Sequence, residues 1–412
     1  MTITAAEQYL LELMNRARLD PAGEAARMGT TLNAGLTSGS ISTAAKQVLA
    51  PNALLDSAAT GHSLWMLATD VFSHTGAAGS QPWDRANDEG YFGGIGENIA
   101  VIWSTGPLSV EGSIDRLNQN LFLSAGHRAN LMREGYREVG LAAEAGPFTS
   151  GGTTFNSAML TEVFGATGAS HFLTGVAYQD RNANQFYSMG EGGAGVQFAA
   201  QGSQTMTAAA GGYALGLTAG AAVAVTGQAG ALTFALTVDM RPGNVKLDLV
   251  NGDTFYTSGS VVLGTGVMDV VLLGVASLNA TGTAQGNDLT GNAGANMLTG
   301  MAGQDVLTGA GGADRLLGGR GNDRMNGGGG ADDFVFGQGD GRDRIAGFTS
   351  TADDELHLSA QLWAGQTLVA GQVVQRFATV QADGVLFDFG SDEVLLAGVT
   401  TLDGLADQIV IF

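Results

Sequence analysis

Residues 291–335 read GNAGANMLT-GMAGQDVLT-GAGGADRLL-GGRGNDRMN-GGGGADDFV, five nonapeptides that begin at Gly291, Gly300, Gly309, Gly318 and Gly327. Each unit has glycine first and fourth, Asn or Asp sixth (Asn296, Asp305, Asp314, Asp323, Asp332), and a large apolar residue eighth (Leu298, Leu307, Leu316, Met325, Phe334). Glycine permits the positive φ of a tight turn and leaves carbonyls free to face a cation. One carboxylate per turn, with backbone oxygens from Gly300, Gly309, Gly318 and Gly327, is a calcium donor set. Three residues after each acid run extended, with the apolar one inward. Two units make one coil, so acids two units apart stack: Asp305 with Asp323, and Asp314 with Asp332. Asn296 is a neutral, weaker ligand. Upstream, Gly286-Asn287-Asp288 reads as a worn turn in which Leu289 falls one residue early, so little or no binding is expected there. A flexible glycine-rich linker would explain the glycines but not the acid and apolar placement.

This block resembles the RTX (hemolysin-type) calcium-binding repeats, and the resemblance implies a parallel β-roll. Free calcium in a cytosol is far below the roughly 10⁻⁴–10⁻³ M that extracellular modules require. The block therefore points outside the cell, or to the cell surface. The first 20 residues show no basic stretch followed by an apolar core, so no N-terminal signal peptide is expected. Residues 337–412 resemble the segment that follows such repeats in type I secreted proteins, which makes the type I secretion machinery an expected partner. Its marks are Gly339-Asp340-Gly341, Asp343, Asp353-Asp354-Glu355-Leu356, and a terminal Asp407 before Ile409, Val410, Ile411 and Phe412. That terminal run also fits an ordinary last strand.

Composition sets the bounds. The chain has 412 residues, no cysteine and a formal net charge of −21. Its apolar content of 44% suffices for packed cores, so wholesale disorder is excluded. Residues 282–412 carry 17 acids against six arginines and no lysine. Such a surface repels phosphate, so nucleic acid is not an expected partner. No apolar run approaches the length of a transmembrane segment.

The N-terminal part begins with Thr4 and Glu7 in a capping-box arrangement before the helical period of Leu10, Leu13, Met14 and Ala17. A second helix, expected to be capped by Asp56, carries His62, Trp65, Met66 and Thr69 at helical spacing. Then come Phe72-Ser73-His74-Thr75-Gly76, Gly96-Glu97-Asn98-Ile99-Ala100, Gly126-His127-Arg128-Ala129-Asn130 and Thr161-Glu162-Val163-Phe164-Gly165. With His62-Ser63 before them, these make five strings whose order resembles the CAP superfamily of cysteine-rich secretory and pathogenesis-related proteins, in a cysteine-free bacterial form. The resemblance covers residues 4–165. It implies an α-β-α sandwich with a groove bearing His74, Glu97 and His127, with His62 nearby and Glu162 where bacterial members often carry Gln. Imidazole and carboxylate together could hold zinc or another divalent ion, or act as acid and base. The same groups could equally hydrogen-bond loop backbone. No nucleophile is evident, because cysteine is absent and no Ser sits in a nucleophile elbow, so binding is favoured over catalysis. The family is known for sterols, lipids and partners.

Between these parts, residues 171–240 alternate short apolar runs with glycine turns, the pattern of a small β-sandwich. One loop places Asp180, Asn182, Asn184 and Glu191 at positions 1, 3, 5 and 12 of a calcium loop, with the Phe186 carbonyl at position 7. It resembles the loop of adhesin B-type repeats, which have a prealbumin-like sandwich. The expected chain is multidomain α+β: a CAP domain at 1–167, a β-sandwich at 168–244, a solenoid run-in at 245–281, a β-roll at 282–336, and a β-rich cap with secretion signal at 337–412. Three roles for the head stay open: binding a lipid, sterol or cell-surface ligand; metal-dependent hydrolysis; or a structural part in an adhesive matrix.

Overall fold

Thr4 opens the first helix as its sequence predicts. Its Oγ1 accepts the Glu7 N–H at 3.2 Å, and Glu7 Oε2 accepts the Thr4 N–H at 2.8 Å. The computed structural model describes residues 3–166, 170–218, 222–349 and 353–412. The expected boundary at 167/168 lies outside the described residues. The chain divides into two units. The first holds residues 1–221, 227–230 and 240–252, and the second holds 222–226, 231–239 and 253–412.

The first unit begins with α1 (Ala5–Leu19) and α2 (Pro21–Arg27). Then follow β1 (Ala50–Pro51), α3 (Ala53–Thr69), α4 (Pro82–Asp88), β2 (Gly94–Ser104), α5 (Ile114–Leu123), α6 (Ala125–Leu131), β3 (Glu138–Ser150) and β4 (Thr153–Ala166). The strands form one sheet in the order β1-β3-β4-β2. Strand side chains alternate between faces, and both faces are covered. Leu141, Leu160 and Phe164 pack with α1, α5 and α6. Ala142 and Val163 pack under Leu55 and Ala59 of α3, and Ile99 and Met159 meet Met66. This is the expected α-β-α layering. The cap of α3 is Asn52, not Asp56: Asn52 Oδ1 accepts the N–H groups of Leu54 and Leu55. Asp56 instead lies inside the first turn, where its Oδ1 accepts the Leu141 N–H from β3 at 3.0 Å. Gly140 makes this approach possible, because a Cβ there would overlap the backbone of Leu55 and Asp56.

Later in the same unit, the strand Ser170–Tyr178 pairs antiparallel with Gly212–Thr218 and parallel with Val245–Val250. Lys246 on the last of these is buried, with Nζ 2.7 Å from Glu12 Oε2 of α1 and also paired to Asp248.

The second unit is a β-solenoid. Parallel pairs recur at an offset of 18: Leu298 opposite Leu316, Leu307 opposite Met325, and Leu316 opposite Phe334. All five eighth-position residues are buried. Two nonapeptides thus make one coil, as expected. The worn upstream turn begins at Gly282, with Asn287 and not Asp288 as its sixth residue. Leu289 is then the eighth residue, fully buried and opposite Leu307. The left-handed backbone falls at the fourth-position glycines (Gly303, Gly312, Gly321, Gly330), as the repeat glycines predict, and also at the second position (Met301, Ala310, Gly319, Gly328), but not at the first-position glycines. Solenoid pairing begins before the repeats, with Phe255 opposite Val270 and Val270 opposite Leu289. It continues after them: Glu355–Leu358 adds to Asp333–Phe336, and Ile409–Ile411 adds to Glu355–Leu358. The hairpin Gly384–Asp388 with Glu393–Ala397 joins Arg342–Ala346, and Trp363, Phe377 and Phe389 stack beside it.

Candidate functional site

The acids of the roll form two columns. Oδ1 of Asp323 accepts the backbone N–H of Asp305 at 2.8 Å, and Oδ1 of Asp332 accepts that of Asp314 at 2.9 Å. The sequence pairing of these four is therefore realised in space. The columns extend beyond the repeats. Asp343 Oδ1 accepts the Asp323 N–H at 2.9 Å, and Asp354 Oδ1 accepts the Asp332 N–H at 3.0 Å. Reading by a fixed period misses these two, since they follow at spacings of 20 and 22. A buried acid opposite the last in-register Asp would have found them.

One oxygen of each carboxylate is thus used. The second oxygens of Asp305, Asp314, Asp323 and Asp343 are buried and have no hydrogen-bond partner. A buried anionic oxygen without a partner is costly. Those of Asp305, Asp314 and Asp323 face the first-position glycines Gly300, Gly309 and Gly318. A Cβ on Gly300 would overlap Asp305 Oδ2 and the Gly318 carbonyl, and one on Gly309 would overlap Asp314 Oδ2 and the Gly327 carbonyl. The first glycine is there for space: it lets a carboxylate oxygen and a carbonyl from the next coil converge. These donors are all oxygen and anionic, so the residues fit calcium. In their present surroundings the acids hold protons tightly. Burial pushes Asp314 and Asp323 up to about 6 and Asp343 to about 8, with neighbouring carboxylates adding to the shift.

Asn296 continues a column but is already satisfied. Its Oδ1 accepts the Asn292 N–H at 2.7 Å, and its Nδ2 donates to the Leu278 carbonyl at 3.0 Å. Asn287 does the same with the Thr283 N–H and the Met268 carbonyl. The solenoid thus opens with neutral amides and becomes anionic from Asp305 onward.

In the head, β2 sends adjacent side chains to opposite faces of its sheet. Glu97 goes toward α3 and α4. Its Oε1 lies 2.9 Å from His74 Nδ1, and its Oε2 accepts from Arg85 Nη2 at 2.5 Å. Asn98 goes toward α6, donating to Glu162 Oε2 at 3.0 Å and accepting from Asn130 Nδ2 at 3.0 Å. Glu162 is buried behind Asn98, and burial pushes it up to about 7. Glu97, Asn98 and His127 border one open depression at the sheet edge, with Tyr136 and Asn130. His62 is buried. Its Nε2 lies 2.9 Å from the Ser73 carbonyl, and it stacks on Trp65, so it steadies the loop that carries His74. Burial lowers the basicity of His62 and His127. Arg128 of the Gly-His-Arg string is buried and donates to the carbonyls of Leu32, Phe122 and Leu123.

Zinc does not fit this head. Glu97 is already neutralised by Arg85, and a guanidinium beside the carboxylate repels a second cation. His74 Nδ1 and His62 Nε2 lie 2.9 and 3.9 Å from Glu97 Oε1, but among the described residues the group whose ligand atoms all lie within 4.8 Å of one another is elsewhere. Of the groove foreseen from the sequence, His62 and His74 approach Glu97, and Glu97 shares a depression with His127, whereas Glu162 lies with Asn98 on the other face. Arg85 carried no motif and went unnoticed.

The middle loop gathers its predicted oxygens. Asp180 Oδ1 and Oδ2 accept the N–H groups of Asn184 and Gln185, and Asn182 Oδ1 accepts that of Asn184. Glu191 is buried and accepts from the N–H groups of Arg181 and Ser188. The Phe186 ring meets Tyr9 and Arg16 of α1.

An α-β-α head and an acid-lined parallel solenoid define a calcium-binding protein of composite build. Residues 11–156 match the family model of the cysteine-rich secretory protein family (CAP), and residues 281–316 and 308–343 match the RTX calcium-binding nonapeptide repeat. The chain therefore carries a CAP domain and an RTX repeat block. Among solved structures, it is similar to the extracellular lipase LipA from Serratia marcescens (23% identity, TM-score 0.26), over 43% of this chain and 29% of the lipase. It is also similar to the AlgE6R3 subunit of the Azotobacter vinelandii mannuronan C5-epimerase (26% identity, TM-score 0.21), over 33% of this chain and 78% of that subunit. The chain thus spans less than a third of the lipase. No curated protein matches it. Among the described residues, no helix is long and apolar enough to cross a membrane.

Proposed function

We infer that the protein works outside the cell, or at its surface, as a calcium-folded carrier of a ligand-binding head. One observation carries this reading: the row of buried, partnerless carboxylate oxygens from Asp305 to Asp343. In low calcium those charges repel and the solenoid stays open, which suits passage through a narrow type I channel. In high calcium the ion binds only the folded coils and stabilises them by mass action. The segment 337–412 serves both as the last coils and as the export signal. The 180–191 loop is a further calcium site, and its two left-handed residues, Ala183 and Gln185, already hold it in a tight coil.

The head binds a lipid, sterol or cell-surface molecule at the open edge beside Glu97 and His127. His62 is held by the Ser73 carbonyl and His74 by Glu97, while His127 Nδ1 is buried without a partner, and a set divided in this way supports recognition over hydrolysis.

The test is elemental analysis with circular dichroism of the full chain. Calcium addition to chelated protein should produce β-signal and retain several calcium ions. Unchanged β-signal after chelation would sink the reading.

A further inference from the structure

The roll carries a second kind of cation site on its outer face. Glu355 and His357 sit two apart on one strand, so both point outward while Leu356 and Leu358 fill the interior. Asp333 on the neighbouring parallel strand stands directly opposite Glu355. His357 Nε2 lies 3.0 Å from Glu355 Oε2 and 3.4 Å from Asp333 Oδ1. The ligand atoms of all three lie within 4.8 Å of one another. These residues belong to neither acid column.

We propose that Asp333, Glu355 and His357 form a three-ligand site for a zinc-class divalent ion, distinct from the calcium columns. Three observations point there. Two carboxylates stand opposite each other in register, and Arg315 offsets the charge of Asp333 while the imidazole of His357 lies beside Glu355. His357 Nε2 hydrogen-bonds Glu355 Oε2 at 3.0 Å and lies 3.4 Å from Asp333 Oδ1, close to the edge of about 3.3 Å that metal–ligand bonds of about 2.0–2.1 Å give in a tetrahedron. The donor set contains an imidazole, which suits zinc and not calcium, an ion that takes six to eight oxygens. The fourth position faces solvent, so a water or an exogenous ligand would complete it.

Arg315 makes the proposal sharper. Its Nη1 pairs with Asp333 Oδ2 at 2.7 Å, leaving Oδ1 toward His357. Arg315 therefore holds Asp333 in place but also opposes a second cation nearby. Replacing it with a neutral residue should tighten metal binding, the opposite of what loss of a structural contact would do.

The test is calorimetric titration of zinc chloride into the full chain saturated with calcium. One zinc per chain is expected at this site. His357→Ala should weaken it by more than about tenfold, a loss that even outer-shell changes commonly cause. Glu355→Gln should weaken it as well, and Arg315→Gln should strengthen it. The calcium-induced β-signal should be unchanged in each variant; if His357→Ala disturbs it, Glu355→Gln decides. Absence of zinc uptake, uptake indifferent to both substitutions, or uptake abolished instead by His74→Ala would overturn the proposal. None of these outcomes depends on what the head binds.

Discussion

The head and the roll both bury acids, and they neutralise them differently. In the head each buried acid has a cation or a donor from the chain itself. Glu24 takes Arg16 and Arg27, Glu97 takes Arg85, and Glu12 with Asp248 takes Lys246. In the roll, backbone N–H groups occupy one oxygen of Asp305, Asp314, Asp323 and Asp343 and leave the other bare. The ion pairs of the head are thus supplied by the chain itself, although burial still pushes Asp56 and Glu162 up to about 7. The roll is incomplete until solvent supplies an ion. A protein can make one half of itself conditional by omitting a lysine.

The largest effect that tests this contrast is in the head. Lys246→Met leaves Glu12 and Asp248 buried without their cation and should cost about 3–5 kcal/mol. Thermal melts should show the same loss with and without calcium. A loss seen only in calcium would erase the contrast.

Next in size is Asp323→Asn in the roll. With calcium about a hundredfold above its dissociation constant, one lost site removes about 2.7 kcal/mol. Without calcium the change removes a buried, partnerless charge, so the variant should be as stable as the parent or more so. Equal destabilisation in both conditions would mean that Asp323 is structural only.

The pH dependence is the third test. Burial raises Asp314 and Asp323 from 3.8 to about 6, and Asp343 to about 8. The folded, calcium-free roll therefore binds more protons than the unfolded chain, and protonation stabilises it. Its β-signal should be strongest at or below about pH 4 and fade as pH rises through about 6 to 8. With calcium the sense reverses, because protons compete for the same oxygens. A calcium-free signal that grows with alkalinity would refute the burial argument.

The smallest expected effect is conformational. Met301 and Ala310 hold φ of 81° and 78° in turns where their counterparts are Gly319 and Gly328. A left-handed side chain costs about 1–2 kcal/mol, partly offset by the greater freedom of an unfolded glycine. Met301→Gly should therefore raise the calcium-loaded melting temperature slightly. A lowered one would show that the Met301 side chain contributes more than its backbone costs.

What could be read in advance follows from locality. The nine-residue period places Leu298, Leu307, Leu316, Met325 and Phe334 inside and stacks Asp305 on Asp323, because every unit repeats the same short-range geometry. Thr4 with Glu7 is equally local. Asn52 was missed because Asp56, a few residues on, is an equally good cap by type, and only its bond to Leu141 shows its real employment. Asp343 and Asp354 escaped because their connections are longer than a unit. Glu162 was misplaced because its partner Asn98 and the groove residue Glu97 are neighbours in sequence and strangers across a sheet. Lys246 and Glu12 are 234 residues apart, and nothing in either neighbourhood announces the other.

The final coil is assembled from the two ends of the last 70 residues. Asp343 and Asp354 stand beneath the repeats, while Ile409–Ile411 closes the strand Glu355–Leu358. A polypeptide that lengthens from its N-terminus cannot close that coil until Ile409–Ile411 have followed the repeats. Premature ion capture during synthesis is therefore limited by chain order as well as by ion supply. In a chain that emerges tail first, the same arrangement works in reverse: the stopper arrives before the stack and gives every later turn a finished edge on which to wind.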